Sequence, residues 1–302
     1  MLNTGNVKAG HNLAFRKTTD TLVSRLLLAT ALISVVSVVL ISLFIFSEGI
    51  PFFKDVPLGD FLWSGEWQPS GDPAAYGILA FILTSLYVTA LALLFATPIA
   101  LASAIYLALF AKNRTAAFLR RSIELLAGIP SIIYGLFGIA VVVPLVRDLF
   151  GGNGYSILSA AIILAIMILP TIINVSEVSI RSVPASIREA SDAMGATQWQ
   201  TIRRVLLPAS RSGIVTSLVM GIGRAVGETT AVLLVGGNAP LFPTSPTSMG
   251  RTLTMNIVTD MSYAEGKHME ALFATAMFLF LFILALNLLV VSVTRKSRME
   301  GR

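Results

Sequence analysis

The chain contains no cysteine, two histidines among 302 residues, and few charges, which make up 13% of it. Without cysteine there is neither a disulfide framework nor a thiolate metal site. Two histidines leave little from which to build a histidine-based metal centre. Soluble domains carry about 25% charged residues, so the composition falls outside the soluble range. What fills the sequence instead is apolar: 55% of residues are hydrophobic, and the mean hydropathy is +0.80. A bilayer core about 30 Å thick requires roughly 20 apolar residues per crossing helix, which makes long uncharged runs the informative feature.

Five such runs are plain: Leu26–Ser47, Pro73–Ala111, Leu125–Val146, Leu149–Ser176 and Ala271–Thr294. A sixth, Gly213–Gly237, is equally apolar but holds Arg224 and Glu228. The second run is too long for one straight crossing, so its ends are expected at the interface or in a loop. The expected fold is all-α, a polytopic membrane protein with about six transmembrane helices. The first run exceeds the apolar core of a signal peptide, about 7–15 residues, and no A-x-A site follows it. It reads as a retained span. The expected organisation is an N-terminal arm over 1–25, a first helix over 26–47, an outer loop over 48–76, a core of five helices over 77–293 and a tail over 294–302.

Lysine and arginine in short loops stay on the cytoplasmic side. Alternate segments collect seventeen basic residues on one side, among them Lys8, Arg16, Lys17, Arg295, Lys296, Arg298 and Arg302, against four on the other, Lys54, Arg147, Arg251 and Lys267. Arg224 falls within a span. Both termini are therefore expected in the cytoplasm. The pI of about 9.8 follows from topology and calls for no nucleic-acid partner.

The loop over 177–212 lacks linker character. Ser186-Ile187-Arg188-Glu189 and Thr197-Gln198-Trp199-Gln200 each fit a capping box, Gly195 fits a left-handed helix stop, and Pro208 is expected to end the second helix. The resulting hairpin, 186–208, offers Ile187, Ala190, Ala193 and Met194 on one arm and Trp199, Ile202, Val205 and Leu206 on the other. Such an apolar hairpin suits a groove on a partner. No Walker A pattern occurs in the chain, so any ATP hydrolysis belongs to another polypeptide and the chain is not by itself an enzyme.

Arg224 and Glu228 are four residues apart, which on a continuous helix puts them on one face within pairing reach. Each ionised group at mid-membrane costs roughly 2.5–3.5 kcal/mol. Gly221, Gly223 and Gly227 leave the backbone open to a ligand or a helix. Two readings follow. In one, this face, with Gly223, Arg224, Glu228 and Thr229, lines a path in which Arg224 offers a fork of donors to an oxyanion, while Glu228 holds it or accepts the substrate's proton. In the other, the pair fixes subunit registry. Trp63 and Trp67, in the outer loop, are expected at the interface, and that loop is a candidate docking surface for a binding protein. Glu177 is expected at the interface too.

Glu189-Ala190-Ser191, three residues, Gly195, nine residues, then Val205-Leu206-Leu207-Pro208 resembles the EAA loop of type I ABC importer permeases, with Ser191 and Val205 as departures. That resemblance implies a coupling role for Glu189, Ala190, Gly195, Leu207 and Pro208 against an ATPase subunit pair. Gly223-Arg224-Ala225-x-Gly227-Glu228-Thr229, with Glu124–Ser131 and Ala165–Thr171, resembles the PstC-type permeases of phosphate importers. Thr230-Ala231-Val232 departs from the G-E-T-A-P of the sister PstA type. The resemblance implies a multi-pass protein of the bacterial plasma membrane, a PstA-type second permease, an external phosphate-binding protein, and ATP with Mg on the ATPase subunits, no cofactor being bound by this chain. A permease for molybdate, tungstate or sulfate, an ion-driven transporter or channel, and a membrane scaffold are the alternatives.

Overall fold

The computed structural model describes the backbone of residues 5–299 and the side chains of residues 20–288. The basic side chains expected on the N-terminal arm at Lys8, Arg16 and Lys17, and on the tail at Arg295, Lys296, Arg298 and Arg302, lie outside those described.

The first helix, α1 (Gly5–Gly49), carries the first span and passes into a 3₁₀ turn, Ile50–Lys54, α2 (Leu58–Trp63) and a two-stranded hairpin, β1 (Trp67–Gln68) and β2 (Ala75–Tyr76). Next come α3 (Leu79–Leu109) and α4 (Asn113–Gly128). A third span runs through α5 (Ser131–Phe137), a π turn and α6 (Val143–Phe150), and is followed by α7 (Ile157–Arg181). The hairpin segment comprises α8 (Ala185–Ala193), α9 (Gln198–Thr201), a π turn over Ile202–Leu206, and α10 (Leu207–Ala209). Four more helices complete the chain: α11 (Arg211–Gly227), α12 (Thr230–Val235), α13 (Leu253–Asp260) and α14 (Lys267–Met299). Five stretches are long and apolar enough to cross a membrane: Asp20–Lys54, Leu79–Leu109, Ser131–Phe150, Ile157–Arg181 and Lys267–Leu288. A sixth is reached when Gln198–Ala209 and Arg211–Gly227, bent by 69°, count as one. The all-α polytopic architecture is as expected.

The core forms where side chains are small. Ala92, Ala96, Ala100 and Ala104 repeat at four-residue spacing on α3, are fully buried, and allow the close approach that makes α3 and α7 the largest helix–helix contact. Gly221 of α11 lies so close to Ile172 of α7 that a Cβ would meet its side chain at 3.0 Å. By contrast α1 packs chiefly on α14, through Phe44 on Phe273 and Phe46 on Phe280.

Polar side chains tie the ends of this bundle. At the end bearing the α3–α4 turn, buried Glu177 accepts from Arg120 Nε and Nη2 at 2.9 and 2.7 Å and pairs with Arg181 Nε at 3.0 Å. Arg181 Nη2 donates to the Leu107 carbonyl at 3.1 Å. Glu177 is thus a buried tie between α3, α4 and α7, where the sequence suggested an interfacial residue. A single carboxylate that ends a span reads as surface because its two arginine partners come from different helices.

At the opposite end the outer loop is folded rather than loose. Phe52, Phe61, Trp67 and Phe81 pack in one aromatic cluster. Trp63 is 74% exposed, as an interfacial anchor would be, but Trp67 is 6% exposed. Its Nε1 donates to Asp260 Oδ2 at 2.8 Å, because a buried indole N–H needs an acceptor. Asp260 also receives Tyr263 Oη at 2.6 Å and Arg251 Nη1 at 3.1 Å, and contacts His268 Nε2 at 3.2 Å. Burial would raise the Asp260 carboxyl pKa, but the bonds from Tyr263 and Trp67, the Arg251 charge and the His268 contact outweigh it and hold it below the ordinary carboxylate value. Lys267 pairs with Asp55 at the same end.

Candidate functional site

The hairpin takes the expected form at Gly195 and at the Thr197–Gln200 box. Gly195 has φ +74°, the left-handed conformation that glycine tolerates. Thr197 caps α9 in a complete capping box, accepting from Gln200 N at 3.3 Å while Thr197 N donates to Gln200 Oε1 at 2.8 Å. Ser191 and Thr201 hydroxyls join the two arms at 2.9 Å. The first expected box does not form. The residue that caps α8 is Pro184, with no side-chain bond, and Ser186 lies inside the helix. Proline at the cap supplies the extended backbone that Ser186 was expected to provide.

Nor does Pro208 stop the second helix. The chain widens into the π turn over Ile202–Leu206 and runs on to Ala209, because the missing proline N–H is absorbed by an altered hydrogen-bond ladder. Ile202 and Leu206 are buried and, with Arg188, Asp192, Gln198, Thr201 and Leu109 at the end of α3, line a small hollow beneath the hairpin. Glu189 and Ala190 are exposed, Pro208 is exposed and Leu207 is half-buried. Met194 is 87% exposed and Trp199 62%. These two large apolar side chains are held outward by the capped hairpin.

Arg224 sits one turn before the end of α11 and is half-buried. Its neighbour on α7 is Thr171, with Nη1 at 3.5 Å from Oγ1, and Tyr134 of α5 is within electrostatic reach. A Cβ built at Gly223 or Gly227 meets no atom within 4 Å, so this side of α11 faces open space. The predicted Arg224–Glu228 pair is absent: no ion pair among the described residues joins them. The helix breaks at Glu228, whose ψ is 134°, and the four-residue spacing no longer puts the two on one face. Instead Glu228 Oε1, one position before the N-cap residue Thr229, accepts from Ala231 N at 3.2 Å, satisfying a free N–H at the start of α12. The Glu228 carbonyl accepts from Thr254 Oγ1 at 2.9 Å. Thr229 is half-buried, with one long contact from its hydroxyl to the Gly227 carbonyl at 3.5 Å.

Among the described residues the guanidinium therefore has a single weak hydrogen bond, to a neutral hydroxyl, within an apolar bundle. An arginine so placed keeps most of its fork of donors for an anion. Sequence reasoning missed Thr171 and the Arg120–Glu177–Arg181 tie. Glu177 and Arg181 stand four apart on one helix, which was the available signal for half of that tie.

Residues 96–299 match the model of the binding-protein-dependent transport system inner membrane component. The chain belongs to this family. Among its relatives, the probable ABC transporter permease protein YqgH of Bacillus subtilis is 41% identical over 245 residues, covering 80% of this chain and 79% of the relative. The phosphate transport system permease protein PstC of Haemophilus influenzae is 33% identical over 300 residues, 91% of this chain and 93% of its own length. That of Pasteurella multocida is 34% identical over 263 residues, 80% and 82% respectively. The fold agrees with solved transporters of the kind: an inward-facing MetNI methionine ABC transporter matches with TM-score 0.55 and 18% identity over 73% of this chain and 94% of that one. An amino acid ABC transporter crystallised with histidines matches with TM-score 0.53 and 19% identity over 72% and 92%. The family match spans the hairpin and Arg224, and leaves α1 outside.

Proposed function

We propose that this chain is the PstC-type permease subunit of an ATP-driven phosphate importer, with the Arg224 face of α11 lining the substrate path. The observation that carries this reading is the unpaired guanidinium beside the open backbone of Gly223 and Gly227. An isolated cation costs roughly 2.5–3.5 kcal/mol to keep in a span, and a folded protein that retains it has an anion for it. The phosphate permeases among the relatives support phosphate as that anion. Thr229, whose hydroxyl makes one long contact to the Gly227 carbonyl, lies on the same path, and Glu228 shapes it by holding the break between α11 and α12.

Energy enters at the hairpin. Glu189, Ala190, Gly195, Leu207 and Pro208 belong to the coupling element, which docks through Met194 and Trp199 on one of a pair of ATPase subunits that carry ATP and Mg. The hairpin's second arm meets α11 at the 69° bend, so a push on the hairpin reaches Arg224 through one rigid elbow and exposes it alternately outward and inward. A PstA-type chain completes the path from the open glycine side, and a phosphate-binding protein delivers substrate to the acidic outer cap around Asp55 and Asp60. The hairpin end, the N-terminal arm and the tail face the cytoplasm of a bacterial inner membrane.

The test is phosphate uptake by Arg224→Gln in cells producing the full complex. Uptake is expected to vanish while the variant still co-purifies with its ATPase and second permease. Normal uptake would remove Arg224 from the path, and failure to recover any ATPase with the unmodified chain would remove the importer reading. Competition by molybdate or sulfate at equimolar concentration is expected to leave phosphate uptake unchanged.

A further inference from the structure

The tight α3–α7 contact leaves a groove on its outer side. Two adjoining cavities, of about 320 and 450 Å³, share Ile99 and Leu169. Their walls are Phe95, Ile99 and Tyr106 of α3, Ile166 and Leu169 of α7, and Ile123 of α4. From Phe95 to Tyr106 the groove follows α3 for about 16 Å at 1.5 Å per residue. That is one half of a hydrocarbon core about 30 Å thick. The groove is one leaflet long.

Its hairpin-side end is closed by the tie already described. Arg181 bonds the carbonyl of Leu107, which lines the groove, and Glu177 stands one turn beyond the lining residue Ile173. Two guanidiniums there share a single carboxylate oxygen. The charge of Glu124 also reaches Arg120, and Arg121 lines one hollow with Glu124, so three cations stand against two carboxylates and one positive charge is left over. The Arg120 and Arg181 side chains remain 34% and 48% exposed. An apolar slot with a net cation at its mouth, at the depth where a leaflet's headgroups begin, has the chemistry that recognises an anionic lipid.

We propose that this groove binds one anionic phospholipid of the leaflet on the hairpin side, an acyl chain lying along α3 and α7 and the phosphate at Arg120 and Arg181. A second helix is a poorer occupant. It is about 10 Å across with its side chains, whereas the hairpin-side half of the slot is confined by α3, α4 and α7 together. A helix would also leave the surplus charge without an anion. The inference rests on the chain spanning a membrane and is independent of which solute it carries.

Native mass spectrometry of the purified complex, titrated with phosphatidylglycerol or phosphatidylcholine, tests it. Phosphatidylglycerol is expected to be retained about fivefold or more over phosphatidylcholine. Arg181→Gln, which balances the remaining arginine against Glu177, brings the two lipids to parity. Ile99→Trp, a substitution on the open wall, lowers retention of both while leaving Arg120 and Arg181 in place. Equal retention of the two lipids by the unaltered complex, or undiminished phosphatidylglycerol on Ile99→Trp, overturns the proposal. The absence of cysteine permits one more arm. A lone Ile99→Cys is expected to carry a spin label reached by membrane-dissolved oxygen, and its cross-linking to a second membrane chain would instead make the groove a protein interface.

Discussion

Asp260 is 2% exposed and is met by four side chains, Tyr263, His268 and Arg251 from nearby in sequence and Trp67 from 193 residues away, so its removal should loosen the outer cap as a unit. Asp260→Ala removes the counter-ion of the largely buried Arg251 guanidinium, leaving it the neutral acceptors Asn256 Oδ1 and the Asn238 carbonyl, and leaves Trp67 Nε1 and Tyr263 Oη without their acceptor. Breaking a buried ion pair from one side costs about 3–5 kcal/mol. At about 1.4 kcal/mol per tenfold, the opening constant of the cap rises by between two and nearly four powers of ten. Trp67→Phe keeps an aromatic side chain and removes one donor to a charged acceptor, the hydrogen bond being worth about 1.5–3 kcal/mol, or one to two powers of ten. The assay is hydrogen exchange at the amides of Gly77 and Ile78, which donate to the Glu66 and Phe61 carbonyls at 2.7 and 2.9 Å. A rise of less than tenfold in Asp260→Ala, or a larger effect in Trp67→Phe, would refute a network centred on this carboxylate. Its folded pKa is depressed, so its contribution is complete above the ordinary carboxylate value and is lost as pH falls through the lower, folded one. Exchange at these amides should therefore be insensitive to Asp260 titration between about pH 5 and 8 and accelerate only in strong acid.

Gly195→Ala places a Cβ at φ +74° with no atom within 4 Å, so the penalty is backbone strain alone, about 1–2 kcal/mol. ATPase activity of the complex should become uncoupled from uptake while the chain still folds, as coupled assays on one preparation would reveal. Gly223→Val adds bulk where this chain has no atoms, so the thermal stability of the isolated chain should hold while uptake falls at least tenfold; a matching loss of stability would mean that α11 packs internally there. For Glu228, the glutamine variant keeps an oxygen for the Ala231 N–H, whereas alanine loses the cap at about 0.5–2 kcal/mol. Uptake should survive better in Glu228→Gln than in Glu228→Ala, and equal loss in both would restore a role for the negative charge.

The spans were legible because a bilayer imposes a length that runs such as Ile157–Arg181 satisfy by composition alone. Gly195 and the Thr197–Gln200 box were legible because a left-handed stop and a cap are made by neighbouring residues. The break at Glu228 was not. A spacing of four in an apolar run reads as a pair, and the competing choice, a carboxylate capping the next helix, depends on Thr254 arriving from 26 residues on to hold the Glu228 carbonyl. Ser186 failed for a local reason, since Pro184 had already begun the helix. The Asp260 network joins residues up to 193 apart in sequence, and such groups read individually as loop polars. The open side of α11 could not be foreseen either, because glycines at 221, 223 and 227 look alike until α7 covers only the first.

The loose attachment of α1 has a practical reading. Because this helix leans chiefly on one neighbour and contributes nothing to the alanine seam of α3, it behaves as an appended mast rather than a beam of the frame. Fusions, tags or exchanged leader helices ahead of the 3₁₀ turn at Ile50 would burden only the flank of α14. The residues proposed for the substrate path and the coupling hairpin all lie downstream of α1.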